Sequence, residues 1–409
     1  MDCPQFEPVV TLLPVDKELP DIQLLIDRHW VWQTYCGLLT EEGDPPQRIR
    51  LRNFAYQPGV RALVSYTAEQ RWDRVLVQDD FAVEMAAGKH TRAFRYPNDP
   101  YLPGLQRAAS AVEAQQLLSR YASLTPYRLK VDKIRYRPGT RAVLRYTASW
   151  RSRRPCQARL FARVMVPARL PRFLSAMNLA SKSTFVIPHV VASWEEGGVV
   201  WLPEVSGNTV RTLVHTGTPP EPARVLDSLA SLWSVGLEPN QGHTLNVAGG
   251  FRVAKDILSM LPTLEASHSL LRDISEILEP FVADWHPTTL AHNDFYDDQM
   301  FVTPDEQLVL VDYEEIGPGD PMFDVGNMLA HLRWMARFGD ATDTCGEYHR
   351  RFRSEALSRF GWDEQALATR EGFALFRLAS DAFRRSGHDW AGTVTNGLLL
   401  TLEALGHQD

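Results

Sequence analysis

Between Leu290 and Leu332 the chain sets a series of carboxylates between apolar runs, LAHNDFYDDQMFVTPDEQLVLVDYEEIGPGDPMFDVGNMLAHL. His292 and Asp294 are followed by Gln299, then by the apolar run Leu308–Val311 that delivers Asp312, then by Asp320 and Asp324. A loop with one carboxylate and one amide carbonyl, followed by a hairpin that returns a second carboxylate, gathers the oxygen ligands a hard cation such as Mg²⁺ takes. With a nucleoside triphosphate supplying further oxygens, Asp294 is left to orient an acceptor hydroxyl, while Gln299 and Asp312 hold the metal that neutralises the γ-phosphoryl group. The short turn Thr303–Gln307 between apolar runs makes the hairpin. A lone HxD is common, and Asp320 is also a suitable cap for a helix starting near Met322. The weight therefore rests on several elements in one order.

That order, His292-x-Asp294-x4-Gln299, then Asp312 and then Gly319-Asp320-Pro321-x2-Asp324, resembles the catalytic signature of the aminoglycoside phosphotransferase and choline kinase family. These are small-molecule kinases with a protein-kinase-like fold. The resemblance implies that Asp294 is the catalytic aspartate, that Asp312 is the metal-binding aspartate after the hairpin, and that His292 and Asp324 brace the loop. Gln299 stands where the family usually has a metal-binding asparagine; its carbonyl is the same donor on a stem longer by one methylene.

Elements upstream must position this loop. Residues 48–68, RIRLRNFAYQPGVRALVSYTA, and 128–148, RLKVDKIRYRPGTRAVLRYTA, align without gaps at an offset of 80. Each reads as strand, Pro-Gly turn, strand, and two copies are too few for a solenoid. Under the resemblance the second copy opens a kinase-like N-lobe. Its strands are Lys130–Tyr136 and Arg141–Trp150, and its turn, Pro138, Gly139 and Thr140, lies over the nucleotide. Gln157–Val166 is the third strand. It offers Arg163 where the family carries a lysine for the α- and β-phosphates.

A guanidinium grips phosphate through a fork, although it does not simply replace lysine at a shaped site. Arg163 is read either as that clamp or as an outward arginine on an edge strand. The helical stretch Leu170–Lys182 contains no acidic residue, so the usual lysine–glutamate pair has no counterpart in sequence. Val83 occupies the matching place in the first copy, which is therefore read as a structural or substrate-shaping module. Thr184–Ala192 and Gly198–Val205 read as a hairpin. VVWLPEVSG resembles the segment joining the two lobes, with Pro203, Glu204 and Val205 at the adenine edge. Earlier, Ile22–Tyr35 and Gln106–Tyr121 read as helices; beyond Gly207 the apolar spacing is helical up to the catalytic loop and again from Pro321 to Leu405.

Composition narrows the class. The 409 residues are 44% hydrophobic and 10% aromatic, enough for the packed cores of two or three domains. No apolar run reaches the ~18 residues of a membrane span. The start, MDCPQFEPVV, lacks a leader pattern, and Cys3, Cys36, Cys156 and Cys345 show neither pairing nor CxxC spacing. The expectation is a soluble cytoplasmic protein. A net charge of −7 argues against a nucleic-acid partner. Residues 286–409 hold 10 Arg, no Lys and 21 Asp+Glu, a net of −11, leaving +4 for the first 285. Such acidity would draw a cationic substrate, but solvated helix surfaces and the metal site account for the same carboxylates.

The sequence thus predicts an α+β, two-lobed protein-kinase-like fold with an antiparallel-sheet N-lobe, a helical C-lobe and an extra N-terminal hairpin and helix module. The expected divisions are 1–125, 126–205 and 206–409. The expected function is transfer of the γ-phosphoryl group of ATP or GTP, with Mg²⁺, to a hydroxyl of an aminoglycoside-, sugar- or choline-like molecule. The alternative is a catalytically impaired pseudokinase or nucleotide-binding scaffold. Neither the acceptor nor the oligomeric state is written in the sequence.

Overall fold

Both copies of the repeat fold as hairpins. The computed structural model describes residues 5–7, 13–39, 46–72, 75–150, 156–236, 244–384 and 389–406. Strands β1 (Gln5–Glu7), β2 (Arg48–Gln57), β3 (Arg61–Trp72), β4 (Val75–Ala86) and β5 (Arg92–Arg95) form a first sheet in sequence order, with α1 (Arg28–Cys36) against it through Tyr35 and Phe81. After α2 (Leu105–Ala109) and α3 (Ala111–Ala122) come β6 (Arg128–Arg137), β7 (Arg141–Trp150), β8 (Cys156–Met165), α4 (Leu170–Ala180), β9 (Ala192–Trp194) and β10 (Val199–Pro203). The second sheet is antiparallel throughout, in the order β6-β7-β8-β10-β9.

The duplication reaches further than the hairpins. In the first copy Asp16 Oδ2 accepts the Tyr56 hydroxyl at 2.7 Å and the Gly59 N–H at 2.8 Å. In the second, Asp99 Oδ2 accepts the Tyr136 hydroxyl at 3.0 Å and the Gly139 N–H at 2.7 Å. Tyr66 donates to the Leu25 carbonyl and Tyr146 to the Ala108 carbonyl, each at 2.6 Å. Asp16-Lys-Glu-Leu-Pro and Asp99-Pro-Tyr-Leu-Pro are thus the same loop, at an offset of 83 instead of 80, and a gap-free comparison of the hairpins stops short of it. Gly59 and Gly139, at φ 68° and 66°, take the left-handed conformation the two turns require.

The rest is mainly helical: β11 (Asn208–Thr209), α5 (Val210–His215), α6 (Pro222–Trp233), α7 (Val247–Ser259) and α8 (His268–Ala283) precede four short strands. β12 (Thr289–Ala291) pairs with β15 (Gly317–Gly319); β13 (Met300–Val302) pairs with β14 (Leu308–Leu310) and with β11. Helices α9 (Pro321–Phe338), α10 (Thr342–Phe360), α11 (Glu364–Ala382) and α12 (Trp390–Ala404) follow.

Among the described residues, three large cores hold the elements, beside a small cluster of Leu63, Ala82 and Phe94. The first sheet shares one with the C-terminal helices, where Phe54 and Tyr66 pack in the same cluster as Phe251, Phe376 and Leu398. The second sheet buries Tyr146 and Trp201 with Leu105 and Leu117 of α2 and α3. A third core, including Phe173, Leu229, Phe295, Tyr313 and Met328, encloses the loop from β12 to α9. The buried Glu371 of α11 accepts from Arg333 of α9 at 2.6 Å and His349 of α10 at 2.8 Å, tying three helices together.

Several sequence expectations are corrected. Thr184–Ala192 is not a hairpin arm: only Ala192–Trp194 pairs with β10, while Val186 bridges Val309 of β14 in parallel. Pro188 has no N–H for a ladder, and the free edge of the catalytic hairpin takes up Val186 instead. Ile22–Tyr35 is broken at Asp27, whose side chain accepts from the Trp30 N–H and caps α1. Of the extended lead-in over residues 1–20, residues 1–4 and 8–12 lie outside the described residues, and Gln5–Glu7 adds a parallel strand. Among the described residues, no helix is long and apolar enough to cross a membrane, and neither Cys36 nor Cys345 is in a disulfide. Cys3 and the Cys156 side chain lie outside the described ones.

Candidate active site

The loop after β12 is held by its backbone. Asn293 is left-handed at φ 65°, uncommon for a residue with a side chain. Its Nδ2 donates to the carbonyls of Glu315, Gly317 and Pro318 at 2.9, 3.3 and 3.4 Å. Gly319 must lack a side chain, since a Cβ there would sit 2.1 Å from Asn293 Oδ1. Asp324, fully buried in the first turn of α9, accepts the N–H groups of His292 at 2.9 Å and Asn293 at 2.7 Å, and Trp233 Nε1–H at 2.9 Å. Burial pushes Asp324 up to about 7 against the pull of those donors.

His292 is also fully buried, with its ring edge-on to Phe295 and neither ring nitrogen hydrogen-bonded within the described residues. Burial draws it down to about 4 despite Asp312 and the Val311 backbone, so it is neutral at physiological pH. Asp320 caps α9 and pairs with Arg370 at 2.9 Å. Asp297, buried on the same loop, is gripped by Arg211 of α5 at 2.9 and 3.2 Å.

Asp294 and Asp312 line one cavity of about 180 Å³ with Arg137 and Arg141 from the second sheet, the stacked pair Tyr296 and His331, and Arg377 and Asp381 from α11. Burial pushes Asp294 up to about 7, with Arg377 opposing and Asp312 reinforcing the shift. Asp312, left-handed at φ 65°, goes the other way. Burial would raise it, but Arg163 and Arg141 hold it well below the usual carboxylate range. The two carboxylates are therefore in opposite states of readiness, one protonatable near neutrality and one firmly ionised.

Gln299 is buried, and its backbone carbonyl accepts the Val311 N–H at 2.8 Å, which fixes its strand beside Asp312; it is not among the residues lining the cavity. Among the described residues no group of three or more His, Cys, Asp and Glu gathers as a metal site. By donor chemistry an ionised carboxylate such as Asp312 and an amide oxygen such as that of Gln299 are ligands a magnesium ion takes with phosphate oxygens, and the cavity lining contains the first and not the second.

Arg163 is not an outward edge arginine. Its Nη2 lies 2.8 Å from Asp312 Oδ1 and 2.5 Å from Glu314 Oε1, and its guanidinium stacks on Phe173. Arg141, from the strand after the Pro-Gly turn, reaches Glu314 at 2.8 Å and Asp312 at 3.4 Å. Glu314 thus supplies the acidic partner that α4 lacks. Sequence reasoning missed it, although it stands two residues after Asp312; nothing local marks it as a partner of a strand 151 positions away.

The turn Pro138-Gly139-Thr140 is pinned by Asp99, and a Cβ on Gly139 would lie 3.1 Å from Leu63 of the first sheet. Pro203, Glu204 and Val205 lie where β10 leaves the sheet for β11; the Glu204 N–H is donated to the Arg159 carbonyl at 3.2 Å. None of the three lines the cavity with Asp294. Trp334 lies tilted against Phe338, Trp362 stacks on Phe360 and Trp390 meets Phe383 edge-on, and none of the three is among the residues lining the cavity.

An antiparallel five-stranded sheet over a helical lobe, with paired aspartates in the cleft between them, defines a two-lobed protein-kinase-like fold. Residues 133–366, more than half of the chain, match the APH phosphotransferase enzyme family, and the chain belongs to it. It is therefore a phosphotransferase. Among solved structures it is similar to spectinomycin phosphotransferase in complex with ADP and spectinomycin (10% identity, 72% of this chain and 98% of that one, TM-score 0.52). It is also similar to a thermostable aminoglycoside phosphotransferase mutant with AMP-PNP and hygromycin B (14%, 73% and 100%, 0.47). A third is choline kinase from Cryptosporidium parvum (14%, 68% and 90%, 0.47). The first of these carries the fold. No curated protein matches the chain.

Proposed function

We propose that the protein transfers the γ-phosphoryl group of ATP or GTP to a hydroxyl of a small molecule. The observation that carries this reading is the shared cavity of Asp294 and Asp312, roofed by Arg137 and Arg141 of the second sheet. The acceptor oxygen forms the new bond to the γ-phosphorus, the bond from that phosphorus to the β,γ-bridging oxygen breaks, and the nucleoside diphosphate leaves. Asp294 orients the hydroxyl and takes its proton. Arg163 and Arg141 bind phosphate oxygens, and Glu314 orients Arg163. Asp312 and Gln299 hold Mg²⁺, which when bound supplies neutralising charge at the phosphates.

Asp324 acts through the backbone of His292 and Asn293, so both belong to positioning. The carbonyls of Pro203 and Glu204 and the Val205 N–H meet the nucleobase edge, and the turn Pro138–Thr140 covers the phosphates. The same proposal places the protein in the cytoplasm. It assigns the first sheet to an accessory module and the second to the N-lobe.

One observation favours the alternative of a nucleotide-binding scaffold: both Asp312 oxygens already lie against guanidinium groups. Calorimetry with Mg²⁺-ATP tests both. Asp312→Ala is expected to abolish Mg²⁺-dependent affinity, whereas Asp294→Asn keeps binding and loses turnover. Binding without turnover in the wild type, across sugars, amino alcohols and aminoglycosides, would leave only the scaffold.

A further inference from the structure

Strands β2 to β5 correspond to β6, β7, β8 and β10, and their register shows where the two copies part. Arg163 lies opposite Val143. In the first sheet the residue opposite Leu63, the counterpart of Val143, is Glu84 and not the Val83 that the gap-free comparison picks. Beyond it the correspondence holds: the Tyr96 N–H is donated to the Asp80 carbonyl at 2.8 Å as the Glu204 N–H is to that of Arg159. Between β8 and β10 the second copy inserts α4 and β9, with Phe173 of α4 against the Arg163 guanidinium. Between β4 and β5 the first copy has only the turn 87–91, tied to its Pro-Gly turn by the Ala87 N–H on the Val60 carbonyl at 2.9 Å. The face that α4 covers in one copy is therefore open in the other.

That opening is a groove of about 920 Å³, within the roughly 300–1,000 Å³ of small-molecule sites. It shares no lining residue with the cavity of Asp294. Its lining holds three permanent cations, Arg61, Lys89 and Arg92, against the single carboxylate of Glu84, with His90 as a further donor. Glu84 is buried and both its oxygens are taken, Oε1 by Arg61 at 3.2 Å and Oε2 by the Tyr101 hydroxyl at 2.5 Å. Arg92 is its cross-strand neighbour, yet neither Arg92 nor Lys89 forms an ion pair among the described residues. Glu18 lies beside Gly59 and does not line the groove. A phosphate group carries about −1.5 to −2 charges and three acceptor oxygens, so one such group meets several of these donors at once. Pro97 stands where the second copy has Val205 and has no N–H, so the edge proposed to meet a nucleobase is not repeated. We propose that this groove is a second ligand site, apart from the catalytic cleft, for a multiply charged phosphate-bearing small molecule without a nucleobase. Lys89 and Arg92 are its principal contacts. The charge of the groove stands independently of the phosphotransferase reading.

The test is titration calorimetry on the full chain with the catalytic cleft filled by saturating Mg²⁺-AMP-PNP. The probes are tripolyphosphate, fructose 1,6-bisphosphate, citrate and a glutamate-rich peptide. The expected result is one phosphate compound bound per chain, more tightly than citrate or the peptide. Lys89→Gln combined with Arg92→Gln, both at exposed positions, is expected to raise that Kd about 10-fold or more and to leave the Kd for Mg²⁺-AMP-PNP unchanged. Arg120→Gln combined with Lys182→Gln removes the same charge from exposed positions outside the groove and is expected to change neither. The two phosphate probes show whether a free or a sugar-borne phosphate is preferred.

Absence of binding by both phosphate compounds overturns the proposal, as does an undiminished affinity in the groove variant or an equal loss in the control variant. Tighter binding of citrate or of the peptide also overturns it, by assigning the groove to carboxylates. Displacement of AMP-PNP by the phosphate compounds places them in the catalytic cleft and has the same effect. Failure of Mg²⁺-AMP-PNP to bind the wild type defeats the phosphotransferase reading alone, since the difference between wild type and groove variant still decides this site.

Discussion

Arg163 Nη2 sits between two carboxylates, 2.8 Å from Asp312 Oδ1 and 2.5 Å from Glu314 Oε1, on a strand that contributes no other charge to the cleft. Burial alone would lower the affinity of Arg163 for its proton; Asp312 and then Glu314 more than restore it. With Arg141 alongside, two cations and two anions cancel before any ligand arrives. In the proposed reading, a divalent ion on Asp312 would release guanidinium groups toward phosphate, and the negative charge of the phosphates would balance the ion.

If Glu314 orients Arg163, Glu314→Gln weakens its two charge-assisted contacts, from Arg163 and from Arg141, by about 1.5 kcal/mol or more together and raises the Kd for Mg²⁺-ATP roughly 10-fold. Titration calorimetry measures it. An unchanged or tighter Kd would mean that Glu314 merely restrains the empty site.

The raised pKa of Asp294 has a consequence for stability with a definite sign. Its folded value of about 7 lies above the ~3.9 of a free aspartate, so folding favours the protonated form. That contribution is complete below about pH 4 and is lost as the pH rises through 7. Asp294→Asn is neutral throughout. It is expected to be more stable than wild type at pH 8 by about 1–3 kcal/mol, with the difference vanishing near pH 4. Thermal melts at the two pH values decide it, and equal melting temperatures at pH 8 would contradict the burial of this group.

Asp324→Ala leaves the His292, Asn293 and Trp233 N–H groups without their acceptor in a fully buried place. The expected cost is about 3–5 kcal/mol, read by urea unfolding, and turnover falls with it because the loop loses its register. A loss below 1 kcal/mol would show that the loop is held elsewhere.

Gly319→Ala places a methyl group 2.1 Å from Asn293 Oδ1 and must displace a left-handed residue next to Asp294. Stability is expected to fall by about 1–3 kcal/mol, with near-native far-UV dichroism and turnover reduced more than nucleotide affinity. Equal losses in both would place the damage in global folding.

The twin aspartates separate fold from function. Asp16→Ala and Asp99→Ala each remove two hydrogen bonds from a Pro-Gly turn, and each is expected to cost about 1–3 kcal/mol. Only Asp99→Ala frees the turn Pro138–Thr140, so only it should also raise KM for the nucleotide. An equal rise in Asp16→Ala would give the first copy a nucleotide role.

The motif from His292 to Asp324, the doubled hairpin and the helices beyond Pro321 were legible because each depends on spacing along the chain: turn residues, strand alternation and helical periodicity are local rules. So was the membership in a kinase-like family, which rests on the order of a few side chains. Illegible were the links between distant segments. Glu314 as partner of Arg163, Asp99 clamping Gly139 and Val186 joining β14 all join residues from separate elements. Contacts of that kind are fixed only when apolar faces bury against each other and bring buried charges within hydrogen-bonding reach. The chain's own order therefore determined which groups are proposed to do chemistry here, and packing decided which charges face them.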